Sequence, residues 1–242
     1  MELKEIHEKL VKGIKDYFSE SNIGIAVIGL SGGLDSSLSA KLVVDAIGKA
    51  NVHGILMPVK GLSNEENVKD TIELCKLLGI NHTLLYINDF VKEFEKLNWQ
   101  SKVAKINTAA RARAAILYHY ANTHKALVIG TSNKTEILLG YFTKYGDGAV
   151  DIEVLSSLFK TEEIELAKYL GIPQKIVDKT PTAELYHGQT DEDELGGTYA
   201  EIDKILKKLE DKEQVDGELA EKILKRIKDN EHKSKMPYFV RL

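Results

Sequence analysis

The 242 residues, 43% hydrophobic and 29% charged, suffice for one α/β domain spanning 1–242 and call for no second one. A formal net charge of −4 gives no broad attraction to nucleic acid, and the longest apolar run, Ile23 to Leu30, is too short to span a bilayer. With Glu2, Glu5 and Glu8 where a secretory signal is basic and then apolar, and one cysteine, Cys75, unable to form an internal disulfide, the chain reads as cytoplasmic, with no nucleic-acid or membrane partner.

Leu3, Ile6, Leu10, Ile14 and Phe18 recur at steps of three and four, which predicts an amphipathic helix over 2–19, a packing or dimer surface. Gly24 to Gly29 then reads as a strand, Leu30 to Asp35 as a tight loop, and Leu38, Leu42 and Ala46 as the apolar stripe of a helix. Such a loop aims several backbone N–H groups and the positive end of a helix dipole at one spot, which suits phosphate. Ser31, Ser36 and Ser37 add hydroxyl donors, and Gly32 and Gly33 allow close approach of an anion. Asp35 would repel a phosphate unless a cation lies between them, which predicts Mg²⁺. The pattern matches neither the common P-loop nor G-x-G-x-x-G. The plain alternative is a glycine turn capping a helix.

Val52 to Pro58 predicts a second strand, with His53 a strand residue, and Ser63-Asn64-Glu65-Glu66 opens a helix running to Gly79. Cys75 shares one stripe of that helix with Val68 and Ile72 and reads as a buried structural thiol. A third strand is expected at Thr83 to Ile87, helices at 88–97 and 103–123, and a fourth strand at Ala126 to Gly130, ending in Thr131-Ser132-Asn133. This alternation calls for a doubly wound, parallel five-stranded sheet with helices on both faces. With strand order 3-2-1-4-5, the loops after strands one and four face each other across a crevice. Glu136, one turn into the next helix, then either converges with Asp35 on one Mg²⁺ or is a first-turn acid favoured by the helix dipole. Gly140 to Gly148 has the composition of a binding loop. Phe159-Lys160-Thr161 opens a helix to 170, followed by Thr180-Pro181-Thr182-Ala183-Glu184-Leu185 and an acidic turn, Asp191 to Gly196. Two amphipathic helices occupy 198–231, with Ile202, Ile205 and Leu209 on one and Leu219, Ile223 and Ile227 on the other.

The wording S-G-G-x-D-S over Ser31 to Ser36 resembles the pyrophosphate loop of the N-type ATP pyrophosphatases, of adenine nucleotide alpha hydrolase-like fold. With Gly140 to Asp147, Leu158-Phe159-Lys160, Pro181-Thr182-Ala183 and Asp191 to Gly196, nearly the whole chain resembles the ammonia-dependent NAD synthetases. The resemblance implies a ligase that adenylates nicotinic acid adenine dinucleotide (deamido-NAD) with ATP, releases pyrophosphate, and lets ammonia displace AMP to give NAD. It assigns ATP to Gly29, Leu30, Ser31, Gly32, Gly33, Leu34, Asp35, Ser36, Met57, Thr131, Lys160 and Thr182, and Mg²⁺ to Asp35 and Glu136. Asp35, Glu136 and Lys160 are the implied catalytic set. Deamido-NAD is implied at Arg111, Lys144, Asp151, His232 and Lys233, joined by Asn107, one helical turn from Arg111, and by Asp147 and Glu194, which are also candidate bases for ammonium. Taken singly, each of these charges, Lys160 included, reads as a solvated side chain, and Arg113 falls among Ile106, Ala109, Ala110 and Leu117. A homodimer is also implied. Ser132-Asn133-Lys134 departs from the acidic and histidine residues of many bacterial members, which leaves the contacts of that turn open.

Two other readings compete. Another adenylating pyrophosphatase, a tRNA thiolase or a GMP synthetase subunit, would share the loop, but a thiolase needs catalytic cysteines and a basic surface. A non-catalytic ATP-binding module would have no use for Glu136, Lys160 and Thr182. Cys75 has no predicted activating neighbour for glutamine hydrolysis, so free ammonia is the expected donor unless a separate glutaminase chain delivers it.

Overall fold

The computed structural model describes residues 1–182 and 190–240. In chain order it contains α1 (Leu3–Ser21), β1 (Ile25–Gly29), α2 (Leu34–Ile47), β2 (Val52–Leu56), α3 (Glu65–Leu78) and β3 (Asn81–Leu84). Next come α4 (Asn88–Lys92), α5 (Lys102–His124), β4 (Ala126–Gly130), α6 (Lys134–Leu139), β5 (Ile152–Glu153) and α7 (Lys160–Tyr169). The last elements are α8 (Gln174–Val177), α9 (Asp191–Leu195), α10 (Tyr199–Glu210) and α11 (Glu218–Asn230).

The strands form a parallel sheet, as expected from the alternation of elements, in the order β3-β2-β1-β4-β5, the order taken above as a premise. β1 and β4 occupy its middle because their runs of Ala, Val, Ile and Leu are apolar on both faces. Ala26 and Ile28 pack with α1, α2 and α7 through Ile14, Phe18, Leu38, Leu42 and Leu166. Val27 and Val128 point the other way, onto Leu117 and Ala121 of α5. Cys75 is 0% exposed in the first of these layers. His53 is satisfied by Thr83, Nε2 to Oγ1 at 2.9 Å, and stacks on Tyr120.

Two local expectations are corrected. The third strand lies at Asn81–Leu84 rather than 83–87, because its ladder starts with Asn81 opposite His53 and the chain turns into α4 after Ile87. The helix expected over 88–97 tightens into a 3₁₀ turn at Glu93–Lys96. The amphipathic helices near both ends serve as packing surface: α1 lies on α2 and α7, while α10 and α11 close around Leu139, Tyr199, Ile202, Leu206 and Ile223. Among the described residues no helix is long and apolar enough to cross a membrane.

Candidate functional site

The sheet order reverses between β1 and β4, and beyond their carboxyl ends lies a cavity of about 1170 Å³. That exceeds the roughly 300–1,000 Å³ of drug-sized ligand sites and gives room for two nucleotide-sized ligands. Its floor is the glycine loop. Gly33 is the N-cap of α2 without a side-chain cap, so the first N–H groups of the helix are left for a ligand. The serines hold the loop in shape: Gly33 N–H donates to Ser31 Oγ, and Ser36 and Ser37 hydroxyls donate to the Gly33 carbonyl. Gly32 adopts φ +86°, and a Cβ there would stand 2.6 Å from the Asn67 carbonyl oxygen, so both conformation and space require glycine.

The opposite wall is the turn after β4. Asn133, 0% exposed, caps α6 by accepting the Glu136 N–H, and Glu136 returns a carboxylate oxygen to the Asn133 N–H, a complete capping box. Asn133 Nδ2 also donates to Asp35 Oδ1 at 2.8 Å, tying the two walls together. The other Asp35 oxygen takes the Lys160 ammonium at 2.5 Å. Lys160, at the start of α7, is 1% exposed and also lies 3.2 Å from Glu163 Oε2.

Four carboxyl groups, those of Asp35, Glu136, Glu163 and Asp191, thus act on one ammonium. Burial raises Glu136 well above the usual carboxylate range, and Asp35 adds to the rise. Glu163 is likewise pushed up by burial and by Asp35. Burial alone would raise Asp35 too, but Lys160 and Asn133 hold it below its ordinary value. Burial also lifts Asp191, which accepts from the hydroxyls of Tyr141 and Tyr199.

Gly29, Leu30, Ser31, Gly33, Leu34, Asp35, Ser36, Met57, Thr131, Glu136, Lys160 and Thr182 all line the cavity, as do Asn107, Asp147, Glu194 and Lys233. Gly32 sits behind the loop against α3. Arg111, Lys144 and His232 form an exposed chain outside the lining, with the Arg111 guanidinium on the Lys144 carbonyl and Lys144 Nζ on the His232 carbonyl. Asp151 departs furthest from expectation: its carboxylate accepts from the Val128 N–H and the Tyr118 hydroxyl and so locks the sheet edge to α5. Ala183, Glu184 and Leu185 of the quoted motif lie outside the described residues.

Sequence reasoning missed several lining or bridging groups. Arg113, placed among apolar neighbours, lines the cavity and donates from Nε to the Met57 carbonyl, because the apolar stripe of α5 doubles as cavity wall. Asn133 could have been found from its N-cap position with Glu three residues on. Lys179, which ion-pairs with Asp70 at 2.7 Å and donates to the Gly32 carbonyl at 3.0 Å, left no signal, since it reaches the loop across 147 residues of chain.

A model of the NAD synthase family matches residues 6–237. Over 243 aligned residues the chain is 42% identical to the NH(3)-dependent NAD(+) synthetase of Archaeoglobus fulgidus, covering 100% of this chain and 98% of that protein. Two solved structures, each covered in full, superpose on it: an NMN synthetase from Francisella tularensis with TM-score 0.92 at 38% identity, and an NH3-dependent NAD synthetase from Campylobacter jejuni, in complex with nitrate, with TM-score 0.86 at 34% identity.

Proposed function

Since the chain belongs to the NAD synthase family, we propose that the cavity above β1 and β4 is where it adenylates and then amidates its substrate. The activity is ATP-dependent amidation of deamido-NAD by ammonia. The nicotinate carboxylate attacks the α-phosphorus of ATP, the α–β anhydride breaks and pyrophosphate leaves. Ammonia then attacks the acyl carbon of the adenylate, AMP departs, and one proton is released.

The observation that carries the assignment is the convergence of an uncapped helix terminus, Asp35, Glu136 and Lys160 from facing sides of the cavity. In this reading the N–H groups of Leu34 to Ser36 hold the departing pyrophosphate, and Lys160 is a point charge on a phosphate. Thr131 and Thr182 offer hydroxyl donors to ATP, and the adenine lies by Met57, whose carbonyl Arg113 fixes. Asn107, Asp147, Glu194 and Lys233 face deamido-NAD inside the cavity, and Arg111, Lys144 and His232 meet its far end at the rim. Asp151 contributes by holding the sheet edge. Asp147 and Glu194, both in the cavity lining, are the acceptors for the ammonium proton.

Mg²⁺ fits the acidic wall. The donors there are carboxyl oxygens, the ligands a hard cation takes, and a divalent ion would offset the burial and the Asp35 repulsion that raise Glu136. Asp35 and Glu136 would hold it, and it would supply charge neutralisation of the triphosphate.

Cys75 is buried, and its thiol is pushed up to about 11 by that burial, so it is no thiolate nucleophile for glutamine hydrolysis. Free ammonia is therefore the donor to this chain, whether from solution or from a separate glutaminase. A homodimer has a ready surface in Tyr86, Phe90, Phe94, Trp99 and Val103, which are half-exposed or more along one stretch from β3 to α5.

The test is to incubate the protein with ATP, Mg²⁺, ammonium and deamido-NAD and to assay NAD and AMP. Formation of ADP in place of AMP would overturn the chemistry. The likeness to an NMN synthetase supports a second reading, in which the mononucleotide acid is the acceptor. A kcat/KM for the mononucleotide exceeding that for deamido-NAD would favour it.

A further inference from the structure

Lys160 and Glu163 lie one turn apart on α7, both buried, with Lys160 Nζ 2.5 Å from Asp35 Oδ2 and 3.2 Å from Glu163 Oε2. Both Asp35 oxygens are therefore engaged, one by this ammonium and one by Asn133. Glu163 keeps a buried oxygen, Oε1, that has no hydrogen-bond partner among the described residues. If Asp35 is a metal ligand, the reading on which this inference rests, its Oδ2 must first be freed from an internal cation. A buried ammonium does not stay unpaired, because burial without a counter-charge is strongly unfavourable. Glu163 is the only other residue with which Lys160 forms an ion pair among the described residues.

We propose that Lys160 is a resident cation that occupies Asp35 until a divalent ion arrives, and that Glu163 is the positioning residue that receives the ammonium when Asp35 turns to the metal. The carboxylate geometry then stays ordered without metal, at the cost of weak metal binding by the nucleotide-free protein. ATP favours the exchange, since its phosphates offer Lys160 a further partner on the same wall. Glu163 keeps the ammonium within reach of the cavity by setting where Nζ rests after the exchange. A lysine held only by Asp35 would have no such second position.

The two side chains therefore affect metal affinity in opposite directions. Binding of Mn²⁺ to the full-length, nucleotide-free protein, followed by electron paramagnetic resonance, reads this without any turnover. Lys160→Met removes the competitor and tightens Mn²⁺ by about tenfold or more, the scale of one lost charge interaction in a partly buried site. Glu163→Gln leaves Asp35 as the one ion-pair partner of Lys160 among the described residues and weakens Mn²⁺ by a similar factor. Unchanged or weaker binding by Lys160→Met overturns the competition, and unchanged binding by Glu163→Gln overturns the receiving role. Should either variant fail to fold, a crystal structure of the unaltered protein with Mn²⁺ decides: Lys160 Nζ nearer Glu163 than Asp35 is expected, and an ammonium still on Asp35 beside bound metal refutes the exchange. Asp35→Asn separates the two levels. Loss of Mn²⁺ binding in that variant keeps the metal reading whatever Lys160 does, whereas undiminished binding removes the metal reading and the exchange with it.

Discussion

Asn133 Nδ2 donates to Asp35 Oδ1 at 2.8 Å across the crevice between β1 and β4, while the Asn133 Oδ1 caps α6. One amide thus fixes both the helix that carries Glu136 and the carboxylate that opposes it. Asn133→Ala removes the cap and one Asp35 partner at a position with 0% exposure, and a loss of about 1–3 kcal/mol is expected. Urea unfolding measures the stability and steady-state kinetics the KM for ATP, which should rise because Asp35 loses its orientation. An unchanged KM would reduce Asn133 to a helix cap.

Glu136 has two roles that a conservative change separates. Glutamine serves at the third position of a capping box as well as glutamate does. Glu136→Gln also removes a charge that burial and Asp35 hold in an unfavourable place. The variant should therefore be at least as stable as the parent, with AMP formation slower by about 10²–10³, the usual effect of losing one electrostatic element of a transition-state site. Full activity in a folded Glu136→Gln protein would leave Glu136 as a capping residue only.

Much of this frame was legible because it rests on local patterns. The runs at β1 and β4, the glycine pair after β1 and the helix stripe after Asp35 are set by neighbouring residues, whereas the strand order, a premise in the sequence reading, is set by how distant elements pack. β5 escaped since two residues carry no periodicity. Asp151 was misplaced, and the cavity role of Arg113 missed, for a different reason. Whether a charge on a strand edge or helix stripe faces solvent, the sheet or a cavity depends on packing between distant elements, which no local spacing encodes. The same holds for Glu163, which is buried on α7 beside Lys160 and meets Asp35 of the glycine loop, a neighbour that no local spacing brings to it.

Glu153 offers a pH test independent of catalysis. Its carboxylate accepts the Ser132 N–H at 3.1 Å, and burial pushes it from an ordinary value of 4.5 up to about 7. A carboxyl raised on folding costs nothing below about pH 4.5, where both states are protonated, and costs its full amount above about pH 7, where both are ionised. Glu153→Gln keeps an acceptor for Ser132, so its stability advantage over the parent should be small at pH 4.5 and grow to as much as ~3 kcal/mol at pH 8. Urea midpoints at the two pH values check this. A difference that does not change with pH would mean that Glu153 titrates normally.

The exposed apolar stretch between β3 and α5 makes a prediction about assembly. Phe94 is 52% exposed and Trp99 70%, beside Tyr86 and Phe90, with no packing partner for this face from α1, α10 or α11. Aromatic side chains left in water at that density are typical of a surface that a second copy covers. Light scattering should return twice the chain mass for the parent and a single chain mass for Trp99→Glu, since a charge buried without a partner opposes association. Because Arg111 follows Val103 on α5 and links to Lys144 and His232 at the cavity rim, separation of the copies should raise the KM for deamido-NAD and leave that for ATP nearly unchanged. A monomeric parent, or a Trp99→Glu dimer, would show that this face serves something other than self-association.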